Sequence, residues 1–520
     1  MRVEKIELVK TNRFSQILIN YLKQDDVFLE QFYDLYPSIN NFEKQIRAKI
    51  FAKSIRDELF QSLTEQYEGY QLSDKAQINL QSLKKENTFT ITTGHQLSIF
   101  TGPLFFHYKI ITVINLCRKL SQKYPNYNFV PVFWMATEDH DFDEIAKVNI
   151  GGIDITWDTV QAGPVGKFDP TGLKAVLGKI PADVGIFQES YLNESTLSNA
   201  VRNYVDEIYG KEGLVVIDGD DKRLKTAISD LIIEDCCSNN VNRLSEASSS
   251  ELEKLGYKQQ VFPREINFFF LKDNFRGRIV KEDSMYKVLG SRESWTEGEF
   301  KEAIQKEPWK FSPNVLLRPL YQESILPNLA YIGGPAEIAY WLQLKSSFDH
   351  YQVPFPILVP RNFCLLIKKD VEKKLAKTGM KIQELFQNKE LVIKNHVKKI
   401  SKSNLTTSNE KSEVEKVWDE LANRVKGLEP TLEITSLAFK AKSLKSLEVI
   451  EKKMIRAEKR RQSTAVNQIE WIYGVLFPKN NLQERYDNYL TFLPDMPNLI
   501  EDLLIHLDPL DFRFHILIQE

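Results

Sequence analysis

The sequence predicts an α/β protein: a doubly wound parallel sheet broken by insertions, followed by an α-helical antiparallel coiled-coil arm. Three observations carry this prediction. Residues 88–136 read strand, helix, strand, which is one βαβ unit in about fifty residues. Its second strand, "FVPVFWMAT", is almost continuously apolar, as parallel strands covered on both faces are. After Arg361 the composition turns to Lys, Glu, Leu and Val, and Val414, Val417, Leu421, Val425 and Leu428 recur at three- and four-residue steps.

Residues 1–85 read as a helical segment packing on the core, with apolar positions three and four apart in "FEKQIRAKIFAKSIRDELFQSL". The core is expected over 86–363. It opens with the strand "TFTITTG" and the helix "PLFFHYKIITVINLCRKL". Further strands are predicted at "GLVVIDG" (213–219), "NVLLRPL" (314–320), "LAYIGG" (329–334) and "FPILVP" (355–360), with "EIAYWLQLKSSFDHY" helical. Insertions near 147–210 and 240–312 are expected to be rich in short strands and turns. The arm is assigned to 364–465, with its hairpin near 371–460 broken by "EPT" at 429–431. Residues 466–520 regain aromatics and are expected to return to the core.

Composition sets the bounds on function. A chain of 520 residues is too long for one simple core. A net charge of −2 provides no field for a nucleic-acid backbone, so nucleic acid is not expected as a partner. The opening "MRVEKIELVK" has no apolar signal core, and no run is long enough to span a bilayer. A cytoplasmic location is therefore expected. The four cysteines form neither a disulfide framework nor a zinc pattern, and Cys117, Cys236, Cys237 and Cys364 read as buried thiols or pocket wall.

Ligands of doubly wound sheets sit at the carboxyl ends of strands, beside helix N-termini. Three stretches hold that position. The first is Gly94-His95-Gln96, continuing through Thr101-Gly102-Pro103 to Lys109; it is neither a Walker loop nor G-x-G-x-x-G. His95 could donate to a phosphate, or simply cap the turn. The second is Glu138-Asp139-His140-Asp141, following Trp134 and Met135. This cluster could bind an ammonium group, hold a metal or supply a base, while the plain alternative is helix capping by Asp139 or Asp141 with Glu144 in the first turn. The third is Gly333-Gly334-Pro335, which opens a helix carrying Glu337 and Tyr340 on one face, with Arg318 and Gln322 expected on the preceding strand and loop.

The joint set "TGHQ…TGP…K", "PVFWMATEDHDFDEI", "RP…Q…LP…AYIGGPAEIAYWLQL" and "PFPILVPR" resembles the BshC family, the cysteine-adding ligases of bacillithiol biosynthesis. The resemblance spans essentially the whole chain. It implies a nucleotidyltransferase-like Rossmann core, two connecting insertions, and a coiled coil that promotes a homodimer. The implied reaction joins L-cysteine to glucosaminyl-malate; since an amide from a free carboxylate needs activation, ATP is expected as co-substrate, and the 138–141 cluster makes Mg²⁺ a candidate metal. The site residues the resemblance implies are Gly94, His95, Gln96, Gly102, Glu138, Asp139, His140, Gly333, Gly334 and Glu337, without fixing the role of each; His95, Glu138, Asp139 and His140 are expected to be catalytic. The residues expected to bind substrate or nucleotide are Gly94, Gln96, Gly102, Pro103, Lys109, Asp141, Arg318, Gln322, Gly333, Gly334, Glu337, Tyr340 and Arg361.

On this reading His95 donates to nucleotide phosphates, and Asp139 holds the substrate ammonium or a metal. "KISKS" at 399–403 looks like the K-M-S-K-S loop of class I aminoacyl-tRNA synthetases, but a Lys/Ser-rich helical arm produces such a string by chance. A tRNA ligase is disfavoured by the charge balance. The alternative to a ligase is a non-catalytic nucleotide-binding scaffold that uses the coiled coil for partner contact. The ionisable cluster beside two glycine turns favours the ligase, since a scaffold needs no such cleft.

Overall fold

The computed structural model describes residues 1–24 and 27–520. The chain folds as two compact units: Met1–Val9, Arg13–Leu366 and Leu482–Leu517 form one, and Lys10–Asn12, Ile367–Asn481 and Ile518–Glu520 the other.

The first unit is built on a five-stranded, all-parallel sheet. Its strands are β1 (Thr88–His95), β2 (Asn128–Met135), β3 (Val215–Asp218), β4 (Asn328–Gly333) and β5 (Ile357–Pro360). Their spatial order is 3-2-1-4-5, that of a doubly wound fold, with its switch point between β1 and β4. β1 and β2 pair in unbroken parallel register from Thr88 opposite Asn128 to His95 opposite Met135, which secures the predicted βαβ unit. The crossover helix α1 (Phe105–Lys123) buries Val113, Leu116 and Leu120 against Phe89, Ile91, Phe129 and Ile332, so its apolar stripe closes one face of the sheet.

Four expectations about this unit need correction. Arg2–Ile6 is a strand, so the first 85 residues are not all helical; the alternation in "RVEKI" has the period of a strand. "NVLLRPL" is not a strand either. Leu317–Ile325 is helix α2, because the Asn314 side chain accepts from the N–H groups of Leu316 (2.9 Å) and Leu317 (3.2 Å), and Pro319 falls in the first turn, where its missing N–H costs nothing.

The insertion over 147–210 is more helical than expected. After one hairpin (Lys147–Ile150 with Ile153–Thr156) it carries helices at Gly185–Asn193 and Leu197–Tyr209. The second of these is capped by Thr196 and buries Leu197, Val201, Tyr204 and Val205 at helical spacing. The insertion over 240–312 begins with a helix, Asn240–Lys254, before its antiparallel strands Phe268–Lys272, Phe275–Glu282, Met285–Val288 and Phe311–Pro313.

In the second unit the hairpin consists of α4 (Ser408–Lys426) and α5 (Pro430–Arg461), with Pro430 at the first helical position as the break at 429–431 requires. Trp418 stacks on Phe439 across the pair at 5.9 Å, and Lys440 bridges to Asp419 at 2.8 Å. The helix Ser463–Leu476 packs against Lys369–Thr378 and Lys389–Ile400 through Ile469, Ile472 and Leu476. The return to the first unit therefore begins at Leu482, not at 466. "KISKS" lies at the end of Lys389–Ile400 and in the turn after it. Among the described residues, no helix is long and apolar enough to cross a membrane.

Candidate active site

A cleft of about 680 Å³ opens at the carboxyl edge of the sheet, over the switch point between β1 and β4. Gly94, His95, Gln96, Pro103, Lys109, Glu138, Asp139, His140, Asp141, Arg318, Glu337 and Tyr340 all line it. Three strand-to-helix turns far apart in sequence thus share one cavity.

The turn after β1 is tied to helix α3 (Pro335–Trp341) by charge. Lys109 Nζ donates to the Gly94 carbonyl at 2.8 Å and lies 2.6 Å from Glu337 Oε2. Glu337 Oε2 also accepts from the Gly334 N–H at 2.8 Å, and Oε1 accepts from Tyr331 Oη at 2.5 Å. Burial alone would raise the Glu337 carboxyl, but Lys109 and these donors outweigh it and hold the group below the usual carboxylate range. Burial pushes the Lys109 ammonium down, with Glu337 opposing.

His95 packs its ring against Phe105 and Phe106. Burial, and then the Lys109 charge, lower its imidazole to about 4. Nδ1 lies 2.8 Å from the Gln96 carbonyl, which can only accept, so Nδ1 carries the proton and Nε2 keeps a lone pair. In this geometry neutral His95 presents an acceptor at Nε2.

In the second cluster Asp139 is already engaged. Oδ1 accepts from the N–H groups of His140 (2.8 Å) and Asp141 (3.4 Å), while Oδ2 accepts from Gln96 Nε2 at 3.2 Å. Arg276 Nη1 lies 3.5 Å from Oδ1 and donates to His140 Nδ1 at 3.0 Å. Burial would raise the Asp139 carboxyl, yet the donors from His140 and Gln96 and the Arg276 charge hold it well below the usual range. Asp139 therefore locks the turns after β1 and β2 together. Gln96 also reaches Glu144, and Asp141 occupies the N-cap position of Phe142–Ile145 without a capping hydrogen bond.

Glu138 pairs with Lys225, whose fully buried Nζ also meets Asp220 Oδ1 (2.6 Å) and the Trp309 carbonyl (3.2 Å). Burial, with Asp220 reinforcing it against Lys225, pushes the Glu138 carboxyl up to about 7. Lys225 is held in its charged form, its pKa raised by the two carboxylates against the effect of burial.

Five predicted residues are not cleft-lining. Gln322 is buried and holds Arg318, accepting from Nη1 at 2.8 Å along α2. Gly333 and Gly334 form the backbone turn beneath Glu337, and Gly333 accepts from the Arg361 N–H at 2.9 Å. Arg361 is buried in an ion pair with Glu484 at 2.6 Å. Gly102 braces the first turn from behind: Phe100, Thr101 and Gly102 all have positive φ (52°, 69° and 67°), strained for the first two.

The strain is held by partners from distant segments. Tyr191 Oη accepts from the Phe100 N–H at 2.8 Å, and Asn488 Nδ2 donates to the Phe100 (2.6 Å) and Gly102 (2.5 Å) carbonyls. Thr101 Oγ1 bonds His107 Nε2 at 2.9 Å, and His107 Nδ1 bonds Tyr209 Oη at 2.7 Å. Sequence reading did not find Arg276, Lys225 or Asp220. The first lies on an inserted strand and the others follow β3, and no motif marks any of them. Among the described residues, no group of three His, Cys, Asp or Glu side chains converges to hold a metal.

Comparison with known proteins extends the match to the whole chain. The family described as "Bacillithiol biosynthesis BshC, N-terminal Rossmann-like domain" matches residues 1–362, and "Bacillithiol biosynthesis BshC, C-terminal coiled-coil domain" matches 364–519. A relative from Christiangramia forsetii named "Putative cysteine ligase BshC" is 39% identical, covering 98% of each chain. Proteins of the same name from Flavobacterium psychrophilum (38%, 99% of each chain) and Cytophaga hutchinsonii (37%, 98% of each chain) are similar over the same length. With a Rossmann-like sheet, a coiled-coil arm and both family halves matched in order, the chain belongs to the BshC family of bacillithiol biosynthesis.

Proposed function

We propose that this protein is a ligase that joins the carboxyl group of L-cysteine to the amino group of glucosaminyl-malate, forming bacillithiol, with ATP activating the carboxylate. The observation that carries the reading is the mixed charge of the cleft at the switch point. Arg276 and Arg318 line it, and each keeps a buried guanidinium N–H (Nε and Nη2) with no partner among the described residues. Such donors suit a carboxylate, a phosphate or the oxyanion of a tetrahedral intermediate. Opposite charge is supplied by Asp141 and Glu144 on the same wall, for an ammonium group.

Amide formation requires the attacking ammonium to lose protons before and as its nitrogen bonds the activated carbonyl carbon. His95 Nε2, the lone-pair nitrogen, is the group we assign to receive one. Mg²⁺, if used, would ride on the phosphates with one carboxylate such as Asp141, since Mg²⁺ keeps most of its water and needs few protein ligands.

The test is purified protein incubated with L-cysteine, glucosaminyl-malate and ATP and analysed for bacillithiol, AMP and ADP. AMP with pyrophosphate would mark an acyl-adenylate, ADP with phosphate an acyl-phosphate. Nucleotide binding without product would favour the scaffold alternative. We further propose a cytoplasmic homodimer formed through the arm, where Val417, Leu428 and Ile434 leave 64%, 79% and 70% of their surface exposed.

A further inference from the structure

A second cavity, of about 580 Å³, lies at the same carboxyl edge, beyond the end of β3. Its chemistry differs from that of the cleft. Lys167, Lys222, Lys272 and Lys310 converge on it, opposed by Asp220 and Asp273. Lys272 is paired with Glu293, and Lys310 with Glu307 at 2.7 Å. Lys167 and Lys222 have no carboxylate partner among the described residues, and Lys222 Nζ sits 4.1 Å above the centre of the Trp309 ring. Asp220 is the inner acid of the basin, but its charge is committed to the buried Lys225, which also takes Glu138 from the cleft side. Four elements distant in sequence thus build a concave basin in which Lys167 and Lys222 keep charge without a carboxylate partner among the described residues, while Asp220 is engaged by Lys225. Lysines are compact point charges suited to phosphate oxygens, and Lys167 and Lys222 on different segments, with the paired Lys272 and Lys310 beside them, suit several linked phosphates better than one.

We propose that this basin is a binding site for a small oligophosphate, separate from the cleft and divided from it by the Glu138–Lys225–Asp220 wall. Two sources share that chemistry: free pyrophosphate or tripolyphosphate, and the phosphate tail of a nucleotide. The proposal goes beyond the ligase reading and does not depend on it, because binding is measured without amino substrates.

The experiment is calorimetric titration of the full chain with pyrophosphate, tripolyphosphate and ATP. Comparison variants are Lys167→Glu/Lys222→Glu in the basin, Lys402→Glu/Lys416→Glu as an equal charge change on exposed lysines of the helical unit, and Arg318→Met in the cleft. Saturable tripolyphosphate binding is expected, weakened at least about tenfold by the basin double variant, since hydrogen bonds to charged groups each carry roughly a factor of ten or more. The other two variants should leave it within about twofold. Tighter ATP binding that Trp309→Ala reduces to the tripolyphosphate level would identify a nucleotide as the source, and equal affinities would identify the free oligophosphate. Absence of saturable heat at millimolar tripolyphosphate would overturn the proposal. So would equal weakening by the two lysine double variants, or loss of binding in Arg318→Met alone.

Discussion

Lys109 and Glu337 meet at 2.6 Å although 228 positions separate their numbers, and the pair fastens the turn after β1 to the helix after β4. Lys109 is 5% exposed and Glu337 24%, so each charge depends on the other for compensation. Lys109→Met and Glu337→Gln should each cost about 3 kcal/mol, the low end for breaking a buried pair because Glu337 faces the cleft. The double variant should cost clearly less than the sum of the two. Urea denaturation of all four proteins measures this. Additivity within about 0.5 kcal/mol would show that the two groups do not stabilise each other.

His95 and Glu138 should produce stability slopes of opposite sign with pH. Native His95 titrates at about 4, below its ordinary 6.5, so the unfolded chain binds more protons in that window and stability falls as pH drops through it. Native Glu138 titrates at about 7, above its ordinary 4.5, so the folded chain binds more protons and stability falls as pH rises through that window. Relative to the parent, His95→Gln should gain stability on acidification and Glu138→Gln on alkalinisation. Denaturant titrations at several pH values between roughly 4 and 8 check this, and the same trend in both variants would refute it.

If His95 Nε2 takes the amine proton, His95→Gln should lower turnover by about 10²–10⁴ while the fold is kept. Asp139→Asn should behave differently, because Asp139 holds Gln96 and the following turn. It should lose about 1 kcal/mol of stability along with activity. Bacillithiol formation per folded molecule, measured beside thermal melting, separates the two roles. Full activity in His95→Gln would remove the histidine from the chemistry.

Asn488 is the donor that pins the strained Phe100–Gly102 turn. Asn488→Ala should cost about 1–3 kcal/mol, since it leaves two buried carbonyls without their donor. Gly102→Ala should also destabilise, because a Cβ there would stand 2.8 Å from Ser98 Cβ at a φ of +67°. Denaturation midpoints unchanged in both variants would mean that the turn relaxes freely.

The arm dimer predicts a mass of twice 60.4 kDa in light scattering at micromolar protein. Val417→Lys with Ile434→Lys should reduce it to the single-chain value by placing charge on the exposed apolar surface. A parent protein that is already monomeric would sink the prediction.

Elements whose signal is local were legible from the residues alone. Periodicity three and four in α1, the apolar run of β2 and the Pro430 break are properties of neighbouring residues, and each appears where the sequence places it. The strand-to-helix turns carrying His95, Asp139 and Glu337 were legible for the same reason, through glycine and clustered charge.

What those residues face was set by packing. An apolar run as short as Val315-Leu316-Leu317 suits a strand as well as a helix, so this stretch turned on where the Asn314 side chain found its backbone partners. Arg276 reaches Asp139 and His140 from an inserted strand, Lys225 takes up Glu138 from behind β3, and Asn488 returns from the end of the chain to hold the first turn. His95 became an acceptor through burial beside Lys109 and the Gln96 carbonyl at Nδ1. Local pattern selects secondary structure because its interactions span a few residues. Charge, burial and hydrogen-bond pairing at a site come from segments brought together only when the sheet and its insertions pack.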